Sequence, residues 1–90
     1  MLVGDKKECS GTDKIFKGNL LSGADCAVKC MGTASMFIFG TNDYGGNRCN
    51  ADGCQCRCEL ASTTDGQCDQ TDHNGYRLYK YGKPGNPSVY

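Results

Sequence analysis

Four of the eight cysteines lie within residues 49–60, and their thiols are the most reactive groups in this sequence. Cys54, Cys56 and Cys58 alternate with polar residues, so an extended strand would turn all three sulfurs to one face. Residues two apart in a strand are separated by roughly 6.7 Å, which is at the far limit of a disulfide. These three cysteines are therefore expected to bond to partners from another element of the chain.

A thiolate-rich metal cluster, as in metallothioneins, is the other chemistry that a Cys-x-Cys-x-Cys run could supply. Three Phe and five Tyr indicate a packed core instead, and the chain lacks the paired Cys-x2-Cys and His spacing of structural zinc sites. An even cysteine count in a chain of 90 residues is typical of a secreted disulfide scaffold. We expect four disulfides and neither metal nor cofactor. The expected disulfide cysteines are Cys9, Cys26, Cys30, Cys49, Cys54, Cys56, Cys58 and Cys68.

Catalysis would require a nucleophile beside His73, the only histidine, which lies in a Thr-Asp-His-Asn-Gly turn. If every cysteine is oxidised, no thiol can serve, and no Gly-x-Ser-x-Gly motif is present. The acidic residues of the loops also lack the spacing of a Ca²⁺-binding loop, and turn formation explains most of them. The sequence therefore predicts a protein that is not an enzyme.

Tyrosine and arginine side chains are the best candidates for ligand binding. In a strand over residues 76–81, Arg77, Tyr79 and Tyr81 share one face, whereas Tyr76 and Leu78 share the other. Burial of the first face would place Arg77 among aromatic rings without an evident acidic partner, so we expect that face to be exposed. Such a surface suits protein contacts and stacking on sugar rings, although it could also be ordinary surface. The expected binding residues are Tyr44, Asn47, Arg48, Arg57, Arg77, Tyr79 and Tyr81.

Ten acidic and ten basic residues give a formal net charge of zero. This balance argues against nucleic acids and anionic membrane surfaces as partners, since both select basic patches. No stretch approaches 18 apolar residues, so no membrane span is expected. Residues 1–3 are too short for a signal peptide, and a secreted protein would therefore be represented here by its mature chain.

Apolar runs and turn residues divide the chain into elements of a single small domain. Ser22 can cap a helix in which Cys26 and Cys30 share a face about 6 Å apart, close to the spacing of alternate strand residues. That helix could place both sulfurs over cysteines of residues 49–58. The predicted elements are a strand at residues 14–18, a helix at 22–31, a central strand at 35–40, a loop at 40–47, a tight turn at 50–53, a loop at 61–74 and a strand at 76–81.

This order of elements resembles the PAN/apple family over roughly residues 9–81. The resemblance is carried by Asp25-Cys26-Ala-Val-Lys-Cys30, by Phe37-Ile-Phe39 and by Cys58-Glu-Leu60. It implies a small disulfide-rich α+β domain, in which an antiparallel sheet of about five strands cradles one α-helix. Residues 1–8 would then be an N-terminal arm and residues 82–90 a C-terminal tail.

The resemblance also implies a pattern of disulfides. Cys26 would bond into the strand containing Cys54–Cys58, Cys30 to Cys49 or a neighbour, and Cys9 to Cys68. The Cys-x-Cys-x-Cys run supplies more cysteines than this pattern needs. Either two cysteines of residues 49–58 bond to each other where the strand is bent, or Cys9 and Cys68 each bond into that region.

By the same resemblance, the protein is expected to be a secreted module that binds an extracellular protein or a carbohydrate. A small diffusible effector, such as a toxin, a protease inhibitor or a pheromone-like signal, is the alternative that size and disulfide density equally permit. Ligand identity and oligomeric state are left open by the sequence.

We predict that all eight cysteines are oxidised in the purified protein, because an even count in a secreted scaffold leaves no thiol over. Alkylation without reductant, followed by mass spectrometry, should add no label. Two or more labelled thiols, or bound zinc, would contradict the disulfide interpretation.

Overall fold

The computed structural model describes residues 1–81, so the predicted tail at residues 82–90 lies outside the described residues. One short helix and six strands follow each other within residues 1–81. They are β1 (Leu2–Cys9), β2 (Lys14–Leu20), α1 (Gly23–Cys30), β3 (Met36–Gly40), β4 (Cys49–Asn50), β5 (Gly53–Glu59) and β6 (Gln70–Lys80).

All six strands join one antiparallel sheet in the order β1-β6-β3-β5-β2, and the short β4 pairs with β5. The structure thus has the small disulfide-rich α+β class that was expected, with about one strand more than expected. β3 is central and β2 is an edge strand, as their apolar and lysine-flanked sequences predict. None of the helices in residues 1–81 is long and apolar enough to cross a membrane.

The sequence predicts an N-terminal arm at residues 1–8, but Leu2–Cys9 forms the edge strand β1. Its partner β6 begins at Gln70, so the end of the predicted loop at residues 61–74 is also strand. Both segments are polar and lack apolar alternation, which hides them from a periodicity argument. Backbone pairing and the Cys9–Cys68 disulfide hold them in the sheet instead.

Helix α1 begins where the capping pattern predicts. The Ser22 hydroxyl accepts a hydrogen bond from the Asp25 amide at 3.1 Å, which satisfies one of the free N–H groups at the helix start. Cys26, Ala27 and Cys30 are fully buried against the sheet. The helix thereby covers one face of the sheet with its single apolar stripe.

The sheet carries a core cluster on each face, as the two-sided apolar pattern of β3 predicts. Phe37 packs with the helix, with Cys56 and Cys58, and with Tyr81. Met36 and Ile38 pack with Leu78, Tyr76 and Cys9 on the other face. Alternation along β3 therefore supplies buried side chains to both clusters.

The four disulfides are Cys9–Cys68, Cys26–Cys56, Cys30–Cys58 and Cys49–Cys54. The matched helix and strand spacings are confirmed, because both helix cysteines bond to β5. The extra cysteine of the run is absorbed by a hairpin, in which Cys49 and Cys54 are direct cross-strand neighbours. Cys30 bonds to Cys58 and not to Cys49. All eight cysteines are used in these bridges.

Glu59 is a buried carboxylate that joins three strands. Its Oε2 accepts a hydrogen bond from the Cys9 amide of β1 at 2.7 Å, and its Oε1 lies 2.9 Å from the Lys14 ammonium of β2. Burial raises the pKa of Glu59, an effect that the bonds from Lys14 and Cys9 oppose. The pair therefore ties together strands that are far apart in the sheet order.

We predict that the disulfides contribute unequally to stability. Cys9–Cys68 spans 59 residues of sequence separation and Cys49–Cys54 only 5. From loop-closure entropy, we expect the free energy of unfolding to fall by about 4 kcal/mol when both cysteines of the first pair become Ala. For the second pair, the expected fall is about 2 kcal/mol. Urea unfolding of the two double variants measures the difference. Equal losses, or a larger loss for Cys49→Ala/Cys54→Ala, would show that native-state strain or packing outweighs chain entropy.

Candidate functional site

The loop between β3 and β4, residues 41–48, is attached to the sheet by hydrogen bonds and by a close backbone contact. The Thr41 amide donates to the Gly75 carbonyl at 2.8 Å. Asn42 holds the end of the loop through two hydrogen bonds to Cys49. The Asn42 side chain accepts one from the Cys49 amide at 2.9 Å and donates one to the Cys49 carbonyl at 3.2 Å. A Cβ on Gly46 would lie 2.3 Å from the Gly75 Cα, so only glycine permits this approach.

Arg77 is held by two carboxylates from distant parts of the chain. Its Nε donates to Asp5 at 3.0 Å and its Nη2 donates to Asp43 at 2.5 Å. The Tyr44 hydroxyl donates to Asp5 and also accepts from Arg77 at 3.4 Å. Hydrogen bonds to Tyr44, Asp43 and Asp5 raise the pKa of Arg77 further, and the bond from Tyr44, together with Arg77, lowers the pKa of Asp5. The guanidinium is therefore both fixed in place and neutralised.

A cleft of about 410 Å³ lies between this network, the start of the helix and the Cys49–Cys54 disulfide. We name it the Tyr79 cleft. Its lining includes Phe39, Asn42, Asp43, Arg77 and Tyr79. A second cleft of about 400 Å³, between residues 32–35 and 62–64, is lined by small and hydroxyl side chains only. The Tyr79 cleft is the one of these two that combines aromatic rings with charged groups.

The aromatic part of the Tyr79 cleft is packed against the core. Tyr79 is half-buried and stacks on the fully buried Phe37, with ring centroids 5.3 Å apart and an interplanar angle of 12°. Such stacking fixes the orientation of the Tyr79 ring before a ligand arrives. At the rim, the Asp43 side chain is 62% exposed, so its carboxylate can accept hydrogen bonds beyond the one from Arg77.

The predicted binding residues are thus divided between several places. Arg77 and Tyr79 share the Tyr79 cleft, and Tyr44 contacts Arg77 beside it. Arg48 and Arg57 lie at another cleft around Tyr76, on the opposite face of the sheet. Asn47 is exposed, has a left-handed backbone with φ of 52°, and is outside the lining of both clefts.

The assignment of Tyr81 to an exposed binding surface is wrong. Tyr81 is only 5% exposed, packs in the helix-side core cluster and donates its hydroxyl hydrogen to the Ala27 carbonyl. The expected burial of Tyr76 and Leu78 is confirmed. Alternation reveals which residues share a face, but not which part of that face a helix covers.

Sequence reasoning missed three residues of the site. The acidic partners of Arg77 are 72 and 34 positions away, so no local pattern connects Asp5 or Asp43 to it. The sequence predicts Phe39 in a strand covered on both sides, yet Phe39 is only half-buried and lines the cleft. Its position at the end of the aromatic strand was the one available signal.

No protein-family model, no curated protein and no solved structure matches this chain.

We predict that Tyr81 makes stability sensitive to alkaline pH. Burial raises its pKa to about 12, against an ordinary value of about 10. The folded state binds the Tyr81 proton more tightly than the unfolded state does. The resulting stabilisation of the folded state is therefore complete below about pH 10 and is lost as the pH rises through about 12. Urea unfolding at about pH 8 and about pH 11 should show a smaller pH-dependent loss for Tyr81→Phe than for the wild type. An identical loss in both proteins would exclude Tyr81 as the source.

Proposed function

We propose that this protein is a secreted, disulfide-stabilised binding module that recognises a neutral sugar of an extracellular glycan in the Tyr79 cleft. The observation that carries the proposal is the pre-oriented Tyr79 ring beside the Asp43 carboxylate and the Arg77 guanidinium. Aromatic rings bind the apolar C–H face of a sugar, and planar charged groups bind its hydroxyls in pairs.

Charge balance favours a neutral ligand. Arg77 faces two carboxylates, and the Lys6 ammonium lies 4.5 Å from the centroid of the Tyr44 ring at the same network. These two cations and two anions cancel, so the cleft offers no excess charge to an acidic group. Its volume of about 410 Å³ is in the range of small-ligand sites.

Secretion is supported by the four disulfides, which persist in oxidising compartments. The PAN/apple-like form is supported by the antiparallel sheet and by helix α1, which two disulfides attach to the sheet. A small diffusible effector stays the alternative, because disulfide density supports both classes.

The test is a glycan array probed with the purified oxidised protein, followed by a calorimetric titration of the sugar that binds. Tyr79→Leu removes the ring but keeps an apolar side chain against Phe37, so affinity should fall by at least about tenfold. Asp43→Asn should also weaken binding, because it removes a charged acceptor.

Phe16→Leu is the matched control, since Phe16 is a half-exposed aromatic residue outside the Tyr79 cleft. It should bind the sugar as the wild type does. The proposal fails if the array gives no ligand, or if Tyr79→Leu binds normally while thermal unfolding shows it to be folded. Capture of an unglycosylated protein from extracellular fluid through Tyr79 would identify a protein ligand instead.

A further inference from the structure

The opposite face of the sheet carries the cleft around Tyr76, of about 290 Å³, which we name the Arg48–Arg57 cleft. Its lining includes Glu8, Lys14, Arg48, Arg57, His73 and Tyr76. Tyr76 and Arg77 are consecutive on β6, so the two clefts lie on opposite sides of the same strand. The sugar site proposed above does not use these residues.

Arg57 is fixed by neutral partners. Its Nε donates to the Tyr76 hydroxyl at 3.0 Å, and that hydroxyl donates to the Gln55 side chain at 2.8 Å. The guanidinium lies 4.8 Å from the centroid of the Phe16 ring. Within residues 1–81, Arg57 forms no ion pair with a carboxylate. Its positive charge is therefore oriented but not neutralised.

Arg48 approaches the same tyrosine from the loop side. Its guanidinium lies 5.5 Å from the centroid of the Tyr76 ring, and Nη1 donates to the Gly46 carbonyl at 3.3 Å. Its Nε is buried and has no hydrogen-bond partner in the described part of the chain. A Cβ on Gly75 would lie 2.5 Å from the Arg48 Cγ, so the absence of a side chain there lets Arg48 reach the cleft. The Gly46 carbonyl takes the bond from Nη1, so Nη2, which faces His73, can donate to an acceptor from a ligand.

His73 adds a third donor. The Gly75 amide donates to His73 Nδ1 at 2.9 Å, so Nδ1 carries no proton and Nε2 carries one. His73 Nε2 lies 3.4 Å from Arg48 Nη2. Two N–H groups cannot bond each other, and at this separation they can share one acceptor oxygen. Glu8 Oε2 lies 3.7 Å from His73 Nε2, which is beyond hydrogen-bond distance, so Glu8 does not serve as that acceptor.

The charge of the cleft suits a monoanion. Lys14 is shared by two carboxylates, with Nζ 3.3 Å from Glu8 and 2.9 Å from Glu59. Three cations, Lys14, Arg48 and Arg57, thus face two anions, which leaves one positive charge. A carboxylate would complete the balance, and its planar form matches the guanidinium fork.

We propose that the Arg48–Arg57 cleft binds the C-terminal carboxylate of a peptide that ends in an apolar residue. Arg48 and His73 Nε2–H share one carboxylate oxygen, and Arg57 holds the other. Phe16, which is 50% exposed beside Arg57, contacts the apolar side chain. This exposed ring is what favours a peptide over a sugar acid, whose hydroxyls would need polar partners.

The experiment is an NMR titration of the oxidised protein with two peptides that differ in one group. Acetyl-Ala-Ala-Leu with a free carboxylate should shift the Nε–H signals of Arg48 and Arg57, whereas the C-terminal amide at the same ionic strength should bind at least about tenfold more weakly. Equal binding of acid and amide would overturn the proposal. Tighter binding of glucuronate than of the peptide would overturn the peptide source.

Matched variants locate the site. Arg48→Gln and Arg57→Gln should each lower the affinity for the free-acid peptide by at least about tenfold, because each removes a charge-assisted hydrogen bond. Gly75→Ala should have the same effect without a change of charge, since its methyl group displaces Arg48. Lys29→Gln, on the exposed helix surface, should bind as the wild type does. Wild-type affinity in folded Arg48→Gln and Arg57→Gln would refute the assignment, and neither result bears on the sugar site at Tyr79.

Discussion

The fold depends on a match between two repeat distances. Residues four apart in a helix rise about 6 Å, and residues two apart in a strand rise about 6.7 Å. Cys26 and Cys30 can therefore bond to Cys56 and Cys58 at the same time, with Cα separations of 5.5 and 5.3 Å. The pair of bridges holds α1 against β5, and the helix-side core forms around these four buried cysteines.

Because the helix occupies one face of the sheet, alternation along β6 directs successive side chains into different surroundings. Tyr76 and Leu78 enter the core on the face without the helix, whereas Tyr79 and Tyr81 pack on the helix side. Tyr81 is covered by the helix, and Tyr79 lies at the boundary where the Tyr79 cleft begins. The Tyr79 cleft and the Arg48–Arg57 cleft are thus lined by side chains from opposite faces of β6.

The docked loop links both clefts. The glycine contact between residues 46 and 75 brings Asp43 to Arg77 on one side and lets Arg48 reach Tyr76 on the other. One cleft is neutralised by internal carboxylates, whereas the other retains a positive charge. Two sites with different electrostatics therefore arise from a single loop placement, and this difference separates the two ligand classes that we propose.

The sequence by itself determined the features that depend on neighbours along the chain. Helix capping at Ser22, the two-sided strand at Phe37 and the match between the spacing of Cys26 and Cys30 and that of alternate strand residues all follow from local spacing. Only the tertiary structure decided that Leu2–Cys9 is a strand, that Tyr81 is core and that Asp5 neutralises Arg77. These outcomes depend on which distant segments meet, because a side chain is buried or paired by what packs on it, and local periodicity carries no information about that.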